Sequence, residues 1–153
     1  MTAQELRDII QKALAPLGLW SAGAEELLMA TAAQESHLGQ YRRQINGPAL
    51  GIYQMEPATF NDLFTNYLQY HPTIKSEILF QSHGDASPET LVENDAFATC
   101  MARVLYLRAP EALPASTDLG GIWRLYKLRW NTPLGAATHD QFVANYNRYV
   151  KAE

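Results

Sequence analysis

Glu35 lies at a position suited to acid–base chemistry in this 153-residue chain. Leu28 and Thr31 precede Glu35 by seven and four residues, so the carboxylate shares one face of a predicted helix with an apolar stripe. Gly39 then offers a left-handed helix stop. Partial burial and the negative end of the helix dipole both disfavour the charged carboxylate. We therefore expect a raised pKa for Glu35, as a general acid near neutral pH requires.

The carboxylates around Glu35 bear on which reaction it could serve. Reactions that need a second carboxylate, as a nucleophile or to activate water, place it roughly 5–9.5 Å from the acid. Residues 36–55 contain neither Asp nor Glu, and Glu56 and Asp62 are the next candidates. This run favours a mechanism with Glu35 as the single catalytic carboxylate. A glutamate at a helix end is also commonly a solvated surface group, so position alone leaves that alternative open.

Capping signals and apolar periodicity predict helices over most of the chain. Thr2 with Glu5 forms a capping box for the first helix, and Ser21 caps the second, which runs to Glu35. Further helix starts are predicted at Pro57, Pro72, the Ser87-Pro88-Glu89 run, Asp118 and Thr138. The helix that follows residues 87–89 is expected to be the longest and central.

The segment between the second helix and Pro57 lacks helical periodicity. Asn46-Gly47 is a hairpin-turn signal, although Pro48 limits regular strand pairing. We expect two or three short strands or extended segments there. The predicted fold is mainly α, of α+β type: one domain over residues 1–153, with a small β-hairpin beside the helix that carries Glu35.

Composition and charge limit the other functions of the chain. A net charge of −4 and a pI near 5.5 argue against nucleic acid as partner. No run approaches 18 consecutive apolar residues, so no membrane insertion is expected, and the first ten residues do not have the pattern of a signal peptide. The single cysteine, Cys100, is expected to be a buried inert thiol. Four dispersed histidines predict neither a metal site nor a cofactor.

Three motifs that surround Glu35 follow one another in the order of a known family. They are Glu35-Ser36-His37-Leu38-Gly39, Gly51-Ile52-Tyr53-Gln54-Met55 and Pro57-Ala58-Thr59. Together they resemble the core signature of the lytic transglycosylases, and the first is also similar to that of goose-type lysozymes in the same superfamily. Looser similarity extends over residues 22–150, where Trp130-Asn131 takes the place of a Tyr-Asn pair. The resemblance implies a lysozyme-like fold with Glu35 as the catalytic residue.

A glycan cleft needs aromatic faces for sugar rings and amides for hydroxyl and N-acetyl groups. With the resemblance, this makes Gln54 and Asn131 the foremost candidates for substrate binding. The other candidates are Ser36, Tyr53, Met55, Tyr126 and Tyr149. Tyr126 and Tyr149 lie on apolar helical stripes and could equally belong to the core, while Ser36 could cap backbone instead. His37 is expected to be an exposed loop residue.

The family resemblance implies cleavage of the MurNAc-β-1,4-GlcNAc bond of peptidoglycan with formation of 1,6-anhydroMurNAc ends. The alternatives are a hydrolytic muramidase with a second carboxylate, and a non-catalytic peptidoglycan-binding or virion structural domain. The expected partner is the glycan strand, and the expected state is a monomer or a virion component. Without a signal peptide, we expect a phage product that reaches the periplasmic cell wall through a holin or within a virion, or else a secretion-system effector.

Overall fold

Helices dominate the computed structural model, which describes residues 1–152. Within that range the eight α-helices are α1 (Ala3–Leu14), α2 (Ala22–Ser36), α3 (Pro57–Asn66), α4 (Pro72–Gln81), α5 (Thr90–Glu93), α6 (Asp95–Leu107), α7 (Leu119–Leu125) and α8 (His139–Tyr146). Short 3₁₀ turns cover Ala15–Leu17 and Leu68–Tyr70, while π-helical turns at Tyr126–Asn131 and Asn147–Lys151 extend α7 and α8. The mainly α prediction is confirmed.

The helix starts agree with the capping signals in the sequence. Thr2 and Thr138 form capping boxes with Glu5 and Gln141, and the Ser21 side chain accepts a hydrogen bond from the backbone N–H of Ala24. Pro57 and Pro72 are the first residues of α3 and α4. These signals act within one helical turn, which is why they can be recognised without knowledge of the tertiary structure.

The expectation that the longest helix follows residues 87–89 is wrong. The longest helix is α2, with 15 residues. The segment after residues 87–89 is divided into α5, with four residues, and α6, with 13. The break occurs at Asn94, whose extended backbone (φ −132°, ψ 99°) ends α5. Its side chain then accepts a hydrogen bond from Phe97 N, so Asn94 caps a new helix and prevents continuation of the old one.

The predicted β-hairpin is reduced to single pairings in the described chain. Two isolated antiparallel bridges join Leu50 to Arg43 and to Met55. Pro48 has no N–H to donate, and the positive φ of Gly51 and Gln54 turns the chain before a ladder can extend. The segment is therefore a series of tight turns that packs beside the end of α2.

A continuous hydrophobic core surrounds α6. Its apolar side chains Phe97, Met101 and Val104 are fully buried, and the helix packs against α1, α2, α3, α4 and α5. Cys100 is buried here too, and burial raises the pKa of its thiol to about 12, consistent with the predicted inert role. No helix of residues 1–152 has the length and apolarity required to span a membrane.

Charged side chains hold the N-terminal end of α2 in place. Arg7 of α1 lies 2.8 Å from a carboxylate oxygen of both Glu25 and Glu26, and the Tyr146 hydroxyl of α8 donates to Glu26 at 2.5 Å. Buried carboxylates with several partners are strongly held. Helix α2 is thus tied to α1 and α8 as well as to the core, which gives its last turn a fixed position.

Candidate active site

Glu35 lies in that last turn of α2, with its side chain partly buried and open on one side to a cleft of about 400 Å³. The cleft is lined by residues from four parts of the chain: Glu35, Gln44, Ala49, Gln54, Met55, Glu56, Thr59, Leu105, Trp130, Asn131 and Thr132. Glu35, Gln54 and Asn131 therefore surround one cleft, the arrangement expected from the sequence. Their contact with a substrate stays a prediction.

The protein environment of Glu35 favours the protonated carboxyl group. Burial raises the pKa of Glu35 from 4.5 to about 7, while a hydrogen bond from the Tyr126 hydroxyl to Glu35 Oε2 opposes that rise. Among residues 1–152, no ion pair involves Glu35. The group is therefore divided between its acid and base forms near neutral pH, as a residue that both gives and takes a proton requires.

Tyr126 contacts the carboxyl group of Glu35 from beneath the cleft. Its side chain is fully buried at the start of the π-helical turn that follows α7, and its ring packs against Phe142 at 5.0 Å between centroids. The sequence left open whether Tyr126 is a core residue or a site residue. Its ring lies in the core, and its hydroxyl contacts the carboxyl group of Glu35. Tyr126 is a positioning residue for Glu35 and does not line the cleft.

Lys127 holds Asn131 and the loop behind it. The Lys127 ammonium donates to Asn131 Oδ1 at 2.7 Å and to the carbonyl oxygens of Gly135 and Ala137 at 2.8 and 3.1 Å. The Asn131 amide group also donates a hydrogen bond to the Tyr126 hydroxyl, which leaves its second N–H for another acceptor. Asn131 can thus donate a hydrogen bond into the cleft from a fixed position.

Ser36 serves the backbone and does not line the cleft. Its side chain is fully buried, and its hydroxyl donates to the Ile52 carbonyl at 2.6 Å and accepts from Gly39 N at 2.8 Å. These bonds join the end of α2 to the turn over residues 51–54. Of the two roles considered for Ser36, the structure supports backbone capping.

The turn over residues 51–54 presents Gln54 and Met55 to the cleft but withdraws Tyr53. Gln54 adopts a left-handed backbone (φ 53°) and donates from its amide nitrogen to the Gly51 carbonyl at 2.8 Å, so its amide oxygen remains available as an acceptor. Tyr53 points into the core, where its hydroxyl lies 2.9 Å from Thr99 Oγ1. Tyr53 is therefore a core residue, and the substrate-binding role expected for it has no support in this geometry.

Tyr149 lines neither the cleft nor its extension, whereas Tyr41, which the sequence analysis did not single out, lines that extension. The His37 ring stacks on Tyr149 with centroids 4.6 Å apart, and the Tyr41 hydroxyl lies 3.2 Å from His37 Nδ1. Tyr41 lines a second concavity of about 280 Å³ that shares Glu35, Gln44, Ala49 and Gln54 with the first. The two concavities therefore adjoin each other at Glu35 and together form a groove, which Tyr41 lines and Tyr149 does not.

One other carboxylate lines the cleft within the described residues. Glu56 is exposed and makes no capping hydrogen bond, although it immediately precedes α3. Asp62 is occupied elsewhere, since its oxygens accept from Arg108 and Asn66, both at 2.6 Å. Glu56 is thus the second acid to consider in any reaction at this site.

Several cleft residues carried no recognisable sequence signal. Gln44, Leu105 and Thr132 line the cleft because distant segments meet there, and no motif marks them. Residues 1–152 contain no cluster of three or more His, Cys, Asp or Glu side chains able to hold a metal ion.

No protein-family model, curated protein or solved structure matches the chain. Functional inference therefore depends on the geometry of the cleft and on the motifs around Glu35.

Proposed function

We propose that the protein is a peptidoglycan lytic transglycosylase with Glu35 as its acid and base. The observation that carries the proposal is a partly buried glutamate with a pKa of about 7, open to a cleft that three amide side chains also line. General acid–base catalysis is most effective when the pKa lies near the working pH. The three motifs of residues 35–59 add the substrate class to this chemical argument.

The shape of the groove suits a polymer. Because the cleft and the adjoining concavity are both lined by Glu35, a chain of sugar units that lies along the groove would pass its carboxyl group. Gln54 offers an acceptor and Asn131 a donor, which match the N–H and C=O of an N-acetyl group. Trp130 and Tyr41 offer aromatic surface for sugar rings.

The proposed reaction needs one carboxyl group in two successive roles. Glu35 protonates the glycosidic oxygen as the bond from C1 to that oxygen breaks. The resulting carboxylate then takes the proton from the 6-hydroxyl of the muramoyl sugar as this oxygen bonds to C1, which forms the 1,6-anhydro ring and restores the acid. An attacking group already held beside C1 has a large effective-molarity advantage over bulk water.

Hydrolysis is the second candidate, and Glu56 is the observation that favours it. Glu56 lines the same cleft, is exposed and makes no capping bond. A carboxylate in such a place could activate water on the far side of the sugar, as inverting glycosidases require. The proposed delivery to the periplasmic cell wall by a phage holin or within a virion is independent of which reaction takes place.

Substitution of each carboxylate tests the proposal on purified cell walls. Glu35→Gln keeps the shape of the side chain and removes the transferable proton, so the release of soluble fragments should fall by roughly 10²–10⁴. Glu56→Gln, the matched control, should remain within a few-fold of wild type. Near wild-type lysis by Glu35→Gln would refute the proposed role of this residue. A large loss in Glu56→Gln would favour hydrolysis, and binding without release by the unsubstituted protein would indicate a non-catalytic domain.

A further inference from the structure

A third concavity continues the groove beyond the cleft. It has a volume of about 320 Å³ and shares Leu105 and Thr132 with the cleft. Arg108 and Arg129 line it, together with Pro110 and Leu128. We call this concavity the arginine recess.

The two arginines reach the recess from different elements. Arg108 caps the C-terminal end of α6, and Arg129 lies in the π-helical turn after α7. Their convergence is notable in a chain of net charge −4, since it places two cations at one end of the groove. Arg42 and Arg43, by contrast, are paired with Asp95 and Glu89 and line neither the cleft nor the recess.

Both arginines keep hydrogen-bond donors beyond their ion pairs. Arg108 uses one terminal nitrogen for Asp62 at 2.6 Å, while Arg129 uses Nε and one terminal nitrogen for Glu111 at 2.9 and 2.5 Å. A guanidinium has five N–H donors, so each residue has donors left for a further acceptor. Both pairs are solvent-exposed, with arginine side chains 31% and 36% exposed, and such pairs contribute little stability and exchange partners readily.

We propose that the arginine recess binds a carboxylate of the peptide attached to the muramoyl sugar. The proposal rests on the proposed function, because only a glycan in the cleft would bring a side branch to this position. Paired arginines recognise carboxylates through planar, bidentate hydrogen bonds, and the apolar surface of Pro110 and Leu128 can accommodate the aliphatic parts of a peptide. The recess would thus make the protein prefer peptide-bearing glycan over bare glycan.

Binding measurements on three forms of glycan strand test this inference. Strands with intact peptides supply peptide carboxylates, strands with those carboxylates blocked as amides supply none, and strands stripped by an amidase expose only the lactyl carboxylate of the sugar. The protein carries Glu35→Gln throughout to prevent cleavage, with or without Arg108→Gln and Arg129→Gln. Arg43→Gln is the control, because it removes another exposed arginine–glutamate pair away from the cleft and the recess.

The arginine substitutions should weaken binding to intact strands by about tenfold, the usual consequence of losing a charge-assisted hydrogen bond, and leave binding to amidated and stripped strands unchanged. Arg108→Lys with Arg129→Lys should restore part of the loss. An equal loss on all three strands, a loss confined to stripped strands, or the same loss in Arg43→Gln would overturn the proposal. Failure of the unsubstituted protein to cleave any strand would instead count against the proposed function, because binding is measured separately.

Discussion

Burial raises the pKa of Glu35, and the hydroxyl of Tyr126 limits that rise. Its hydrogen bond to Oε2 stabilises the carboxylate form and keeps the pKa of Glu35 lower than burial alone would set it. Tyr126→Phe should therefore raise this pKa above about 7. Because the reaction needs protonated Glu35, the alkaline limb of the profile of kcat/KM against pH should move to higher pH.

Tyr106→Phe is the matched control for that substitution. Tyr106 is also buried, and its hydroxyl lies 2.9 Å from Thr31 Oγ1 without contacting the Glu35 carboxyl group. It should lose some stability and leave the alkaline limb in place. A limb that stays fixed or moves to lower pH in Tyr126→Phe would show that the hydrogen bond does not govern the acid.

Glu35 also makes the stability of the fold depend on pH. Its pKa is about 7 in the folded protein and near 4.5 when the chain is unfolded, so the folded state binds the proton more tightly. The free energy of unfolding of wild type, relative to Glu35→Gln, should therefore be highest below pH 4.5, fall between these two values and level off above pH 7. Denaturant titrations across this range measure the difference, and a flat or rising difference would contradict a buried, protonated Glu35.

At the residue scale, the raised pKa of Glu35 could be predicted from the sequence, but its hydrogen bond from Tyr126 could not. The apolar face and helix end around Glu35 are local features, so its raised pKa could be expected. Tyr126 lies 91 residues away in the sequence. Whether it is a core or a site residue depends on which group its hydroxyl contacts. Only the packing of α7 beside α2 settles that position.

Gly51 shows why the turn beside α2 has its particular conformation. Its φ is +80°, and a Cβ atom there would lie 2.3 Å from the Leu91 carbonyl oxygen. Gly51→Ala should destabilise the fold through both backbone strain and this clash. Gly84→Ala is the control, since Gly84 has a similar φ of +84° with no atom within 4 Å of the added Cβ.

Backbone strain alone should cost Gly84→Ala about 1–2 kcal/mol. The added clash should cost Gly51→Ala roughly 1–3 kcal/mol more, because the backbone of α5 has to move. Denaturant unfolding of the two variants measures the difference. Equal losses would mean that the turn and α5 are not tightly packed.

At the scale of elements, helix starts were predictable and strand pairing was not. Capping boxes and N1 prolines act within a few residues, so Thr2, Ser21, Pro57 and Thr138 could be recognised from sequence. The Asn46-Gly47 signal favours a hairpin, but Pro48 and the left-handed residues after it leave only single bridges. A local signal could not show how the packing of Gly51 against α5 would bend the segment.

At the scale of the molecule, the groove is formed by segments far apart in the chain. Gln54 and Asn131 could be placed together only through the motif resemblance, and both line the cleft with Glu35. The arginine recess had no sequence signal, because Arg108 and Arg129 stand in no shared motif.

The masses of the fragments released from purified peptidoglycan test the central claim most directly. Attack by the muramoyl 6-hydroxyl leaves an internal anhydro ring, so a complete digest should contain fragments one water lighter than hydrolysis products and no new reducing ends. The Glu35→Gln protein should release neither kind, which excludes a contaminating enzyme. A digest of predominantly reducing-end fragments would contradict the account and identify hydrolysis, with Glu56 as the residue to examine next.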